Sequence, residues 1–124
     1  RSNTASKNVD DGFFLLDSSG NTLRGNTARS NGFDGFGLSF NSENNPLTGN
    51  VSSNNGDNGF RLSSSGNTLR DNTASDNDFG GFRLDTGSGN IADDNPQLAP
   101  LADNGGPTET HALLPGSPAC HQPV

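Results

Sequence analysis

Six aspartates, Asp10, Asp11, Asp34, Asp57, Asp76 and Asp78, recur along this chain together with Arg61 and Arg83. Carboxylates and guanidinium groups are the materials of general acid and base catalysis, which needs two such groups converging on one bond. Neighbouring carboxylates such as Asp10, Asp11, Asp34 and Asp57 are also hard oxygen ligands that a calcium ion could share. Their spacing matches neither an EF-hand loop nor a Gly-rich nonapeptide calcium repeat. His111, Cys120 and His121 offer softer donors but lack the paired spacing of a metal site. Asp11 and Asp34 each precede a glycine, so turn geometry alone accounts for them. Which of these groups can meet depends on the elements that carry them.

Composition by itself points to a disordered acidic polypeptide. Leu, Ile, Val and Phe make up only about a fifth of the chain, the range in which apolar burial fails to offset ordering entropy. The eight phenylalanines are nevertheless not scattered, and disordered chains are poor in aromatics, so order must come from position. A length of 124 residues fits one domain with a small core. The net charge of −7, with seven scattered basic residues, excludes a nucleic-acid partner. No apolar run is long enough for a membrane span. The missing initial Met and signal-like stretch fit a processed or excised chain. Cys120, the single cysteine, has no internal disulfide partner.

Phrases beginning at Asn3, Asn26, Asn50, Asn72 and Asn95 are separated by 23, 24, 22 and 23 residues, the signature of a solenoid. Ten residues into the first four come Phe13, Phe36, Phe60 and Phe82, followed two residues later by Leu15, Leu38, Leu62 and Leu84. That spacing puts both side chains on one face of a strand. Asp11-Gly12, Asp34-Gly35, Asn58-Gly59 and Gly80-Gly81 precede each Phe, which predicts a corner of positive backbone dihedrals. A second strand carries Leu23, Leu47, Leu69 and Ile91, and a third points Ala5, Ala28, Ser52 and Ala74 inward. The reading is an all-β solenoid of about four three-strand coils over residues 1–95, with no helical periodicity.

Coils stacked about 4.8 Å apart turn equivalent positions into columns. Asn3, Asn26, Asn50, Asn72 and Asn95 form one, Asn8, Asn31, Asn55 and Asn77 a second, and Asn21, Asn45, Asn67 and Asn90 a third. An amide carries donor and acceptor, so these columns can bond to one another and to buried corner backbone. An inward Asn50 makes the sequon Asn50-Val51-Ser52 a poor glycan acceptor. Threonines at Thr4, Thr27 and Thr73 and at Thr22 and Thr68 face outward, as β-branched strand residues do. Val51 interrupts the first set and no Thr-x-Thr strand occurs, which argues against an ice-binding array.

Phrases such as "NTLRDNTASDNDFGGFRL" resemble the right-handed parallel β-helix repeats of pectate-lyase-like proteins and of the β-helix proteins that assist copper-enzyme maturation. The tail, residues 96–124, holds six of the seven prolines and loses the period. Its "NPQLAPLADNGGPTETHALLPGSPAC" is similar to the end of choice-of-anchor or CSLREA-type bacterial surface proteins. The resemblance implies a right-handed parallel β-helix with a Pro-rich C-terminal cap, in which Leu98, Leu101, Leu113 and Leu114 contact the last coil. It also implies an extracellular or bacterial cell-surface location, and makes polysaccharide lyase, hydrolase or epimerase the natural enzymatic alternative. Neither the Asp-Pro-His-Glu phrase of mannuronan epimerases nor the Gly-His-Gly phrase of polygalacturonases is present. The expected function is therefore a non-catalytic structural or adhesive module. Its chain enters directly on a repeat phrase at Arg1-Ser2-Asn3, which invites self-association or stacking on further coils, head to tail into fibres. Polysaccharide binding and a calcium-dependent surface module are the alternatives, and no other cofactor is expected.

Overall fold

The computed structural model describes residues 2–85, 89–93, 98–102 and 110–113, with side chains for 2–85 and 89–90. Its contacts divide the chain into two units, Arg1–Asp93 and Asp94–Val124.

The first unit is built from twelve short strands, three to a coil. The first coil holds β1 (Thr4–Ser6), β2 (Phe13–Leu16) and β3 (Leu23–Arg24). The second holds β4 (Thr27–Arg29), β5 (Phe36–Ser39) and β6 (Pro46–Thr48), and the third β7 (Val51–Ser53), β8 (Asn58–Ser63) and β9 (Thr68–Arg70). The fourth holds β10 (Thr73–Ser75), β11 (Gly80–Leu84) and β12 (Ile91–Asp93). Equivalent strands pair in parallel as three sheets, β1-β4-β7-β10, β2-β5-β8-β11 and β3-β6-β9-β12. Phe13, Phe36, Phe60 and Phe82 lie in register, as do Leu15, Leu38, Leu62 and Leu84.

Those columns are the core. The phenyl rings stack at centroid distances of 4.9, 4.7 and 5.0 Å with planes within 10°. Phe36, Leu38, Leu47, Phe60 and Leu62 are fully buried, with Ala28, Leu23 and Leu69 beside them. Each large apolar side chain so buried contributes roughly 1.5–3 kcal/mol. A small number of rings, spaced one per coil, thus offsets the poverty of the composition.

Sharp corners come from residues in the left-handed region, most of them followed directly by an Asn of one of the columns. Gly25 and Gly49 precede Asn26 and Asn50, Ser30 and Asn54 precede Asn31 and Asn55, and Gly20 and Gly66 precede Asn21 and Asn67. The corner before each Phe strand works differently from the expectation. Gly12, Gly35, Gly59 and Gly81 do not adopt positive φ. At the first three of these the residue must be glycine for lack of room: a Cβ on Gly35 would stand 1.9 Å from Ser52 Oγ and 2.8 Å from the Gly59 carbonyl.

A second correction concerns the Leu strand. Ala92, and not Ile91, continues the column of Leu69, while Ile91 pairs with Thr68. In this sheet Leu23, Leu47 and Leu69 each stand two residues after their corner Asn, and the position two after Asn90 is that of Ala92. Asn95 lies outside the described residues. In the second unit, β13 (Leu98–Ala102) and β14 (Thr110–Leu113) form an antiparallel pair where only irregular chain was expected. Pro100 sits where the register shifts between Leu98 and Leu101, a place that requires no ladder N–H. The anticipated contacts of Leu98, Leu101, Leu113 and Leu114, and the metal candidates Cys120 and His121, lie outside the described side chains.

Candidate functional site

Three amide columns hold the corners. Asn26 donates its backbone N–H and its Nδ2 to Asn50 Oδ1 at 2.9 and 3.0 Å, and Asn50 donates both to Asn72 Oδ1 at 2.9 Å. Asn3 bonds to Asn26 in the same way. The column of Asn8, Asn31, Asn55 and Asn77 repeats this pattern, and Asn45 and Asn67 hold the third corner. Spare Nδ2 protons reach backbone carbonyls, as Asn50 does to Leu23 O at 3.0 Å. Asn50 is fully buried, which leaves the sequon's amide closed to an acceptor role. Serines supply a column the sequence reading missed: Ser42 and Ser64 are buried at the corner after the Phe strand, and Ser64 Oγ donates to Ser42 O at 2.9 Å. Among the described residues no buried side-chain nitrogen or oxygen lacks a hydrogen-bond partner.

The same logic absorbs part of the acidic set. Asp34 donates its backbone N–H to Asp11 Oδ1 at 2.8 Å, and Asn58 donates its N–H and Nδ2 to Asp34 Oδ1 at 2.9 Å. Asp11, Asp34 and Asn58 therefore form a fourth ladder, with the opposite polarity to the asparagines: the later coil donates to the earlier one. Asp76 is a left-handed corner residue before Asn77, and Asp78 N–H donates to Asn55 O. Neither belongs with the remaining acids.

Asp10, Asp11, Asp34 and Asp57 do come together, around a shallow cleft of about 250 Å³ on the outer face of the Phe sheet. The cleft exists because the repeat breaks. At the outward position beside each buried Phe stand Phe14, Gly37, Arg61 and Arg83, so the second coil contributes no side chain. Phe14 fills part of the gap, for a Cβ on Gly37 would meet its ring at 2.9 Å. Gly37, Leu38 and Ser39 make the floor, Phe14 one wall, Arg61 and Ser63 the other, with Phe33 and the carboxylates at the corner end. Phe14 and Phe33 are each 55% exposed, an unusual cost for a core-poor protein. The sequence reading singled out neither ring. The signal available was their departure from the period.

Arg61 and Arg83, expected in one outward column, both reach Asp85. Arg61 Nε lies 2.9 Å from Asp85 Oδ2, and Arg83 Nε bonds to Asp85 Oδ1. These bonds, Arg83's first and Arg61's second, hold the Asp85 carboxyl below the ordinary carboxylate range. The bond to Asp85 likewise raises the Arg61 guanidinium, with Asp34 adding charge attraction. Asp11 is pushed the other way. Burial raises its carboxyl first, the Asp34 N–H lowers it, the charges of Asp34 and Asp10 raise it again, and Arg61 lowers it.

Chemically, the cleft presents apolar ring faces, carboxylate acceptors and one guanidinium donor. Among the described residues no three His, Cys, Asp or Glu side chains are arranged to hold a metal ion. Asp34 is unsuited to calcium for a local reason, since one oxygen serves Asn58 and the other faces Arg61 at 3.9 Å. The family model described as right handed beta helix region matches residues 1–96. No curated protein and no solved structure matches the chain.

Proposed function

Since the chain belongs to the right-handed β-helix family, we propose that it is a structural module: a non-catalytic solenoid, exposed outside the cell, that stacks on further coils of its own kind. The observation that carries this reading is the way its would-be catalytic groups are used. Asp11 and Asp34 are acceptors for corner N–H groups, and Arg61 and Arg83 converge on Asp85. A carboxylate already committed to backbone is poorly placed to shuttle protons. The partner follows from cross-section. At the first coil Phe13 and Leu15 are only partly buried, whereas Phe36 and Leu38 beneath them are closed off, so a further coil with the same columns completes the burial. Free parallel strand edges at that level favour such addition.

Two measurements test the proposal. Sedimentation velocity over a wide concentration range should show growth into elongated species, and negative-stain images should show fibres about one coil wide. Monomers alone at high concentration overturn self-stacking. Incubation with acidic and neutral polysaccharides should release no unsaturated or shortened products, and their appearance overturns the non-catalytic part. The cleft favours a second reading, carbohydrate binding, because Phe14 and Phe33 offer flat apolar faces beside hydrogen-bonding groups. Retention on immobilised glycans checks it. A calcium-dependent module rests on Asp10, Asp11, Asp34 and Asp57 alone, and a melting temperature lowered by a chelator is its test.

A further inference from the structure

Charge in the cleft is unbalanced. Asp10, Asp11, Asp34 and Asp57 face a single basic group, Arg61, which is itself engaged by Asp85. Asp34 is only 4% exposed, and the oxygen not used by Asn58 faces the Arg61 guanidinium at 3.9 Å, a charge contact and not a hydrogen bond. Like charges at close quarters raise the Asp11 carboxyl after burial has done so, as expected of a cleft short of cations. Beside these acids stand the exposed rings of Phe14 and Phe33. Phenyl faces attract cations through their quadrupole and also accept apolar stems. We infer that the cleft is a binding site for an organic cation, a guanidinium or primary ammonium on a short apolar stem, with the charge among the carboxylates and the stem on Phe14 and Phe33.

The inference does not depend on the structural role proposed above, because the outer face of the sheet is separate from the surface used in coil stacking. It also runs against an acidic polysaccharide as the occupant, since uronate carboxylates meet four of their own sign. The shared chemistry has two sources, a free small amine or an Arg or Lys side chain offered by a polypeptide. Neither calcium nor a neutral sugar makes use of both the rings and the surplus charge.

The test uses the intact chain titrated with n-butylguanidinium, n-butylammonium and the uncharged isostere n-butylurea, followed by calorimetry and amide chemical shifts. The two cations should bind saturably at one site with shifts at Gly37, Ser39 and Phe33, and n-butylurea at least about tenfold more weakly. Asp10→Asn combined with Asp57→Asn should weaken cation binding about tenfold or more, and Phe14→Ala should weaken it while sparing the charge. Melting curves confirm that each variant is folded. A parallel arm with the acetylated, amidated tripeptide Gly-Arg-Gly assigns the source: tighter binding than n-butylguanidinium points to a protein partner, and equal or weaker binding to a free amine. Equal affinity for n-butylurea, unchanged cation affinity in the folded double variant, or no saturable binding overturns the inference.

Discussion

Phe60 and Arg61 are neighbours in sequence and belong to one strand, yet they live under different rules. The inward column reads Phe13, Phe36, Phe60 and Phe82 without exception, while the outward column reads Phe14, Gly37, Arg61 and Arg83. Inside, each side chain is the floor of the next coil, so a change of shape at one level leaves a void or a clash at two. Outside, the neighbour is water, and the requirement lapses. Repetition in this protein therefore reports stability, and departure from repetition marks where another purpose can be served. The cleft over Gly37 is the clearest departure.

The sharpest way to break the comparison is to truncate both kinds of residue. Phe60→Ala should cost about 3–5 kcal/mol in chemical denaturation, since a fully buried ring stacked on two others leaves a cavity that coil spacing cannot close. Phe14→Ala, on the outer column, should cost less than about 1 kcal/mol. Equal losses would mean that the two faces share one role. Next in size is Asn50→Ala, which strips the acceptor from Asn26 and the donors to Asn72 and Leu23. Leaving those buried groups unmatched should cost about 3 kcal/mol. Asn50→Asp should do comparable harm at neutral pH, because a buried carboxylate cannot donate.

Gly35→Ala should follow at about 1–3 kcal/mol, as the added Cβ meets Ser52 Oγ and a backbone carbonyl. Gly49→Ala has open space around it and should show only the smaller strain of a left-handed φ of 61°, about 1 kcal/mol. Thermal melts of the pair separate lack of room from lack of backbone freedom. Asp85→Asn should cost under about 1 kcal/mol, since its partners are half exposed. Its carboxyl is lowered in the folded chain, so its contribution is present above the ordinary carboxylate value and lost as pH falls through the lowered one.

The smallest effect has the opposite sign. Asp11 is raised in the folded chain, so its ionised form opposes folding above that raised value, and the penalty fades as pH falls toward the ordinary one. Asp11→Asn keeps the acceptor for Asp34 and removes the charge. A gain of a few tenths of a kcal/mol at pH 7, absent near pH 3, is the expected result, and a loss at pH 7 would show that the charge itself holds the corner.

Legibility in the sequence followed the same division. The Phe, Leu, Asn and Ala columns could be read from spacing because stacking makes equivalent positions alike, and the registers fall where the phrases align. Gly12, Gly35 and Gly59 were legible as corners but not in their reason, since a glycine needed for space and one needed for positive φ look the same in letters. The ladder role of Asp11 and Asp34 stayed hidden because an acid in an asparagine's place advertises chemistry first. Ile91 was misplaced because an apolar letter near the expected position outweighed the small Ala92 that the corner rule selects. The cleft was the least legible feature, for Phe14 and Phe33 obey no period. Their meaning depends on what the next coil omits.

The asparagine columns have one more consequence. From the second coil onward each Oδ1 in them takes its protons from the coil before, and the Asp11, Asp34 and Asn58 corner runs the reverse way, so the two ends of the stack are chemically unlike. A rod with that built-in arrow cannot be joined to its own mirror orientation without setting acceptor against acceptor. Any extension of it is vectorial, each added turn carrying the same sense as the last.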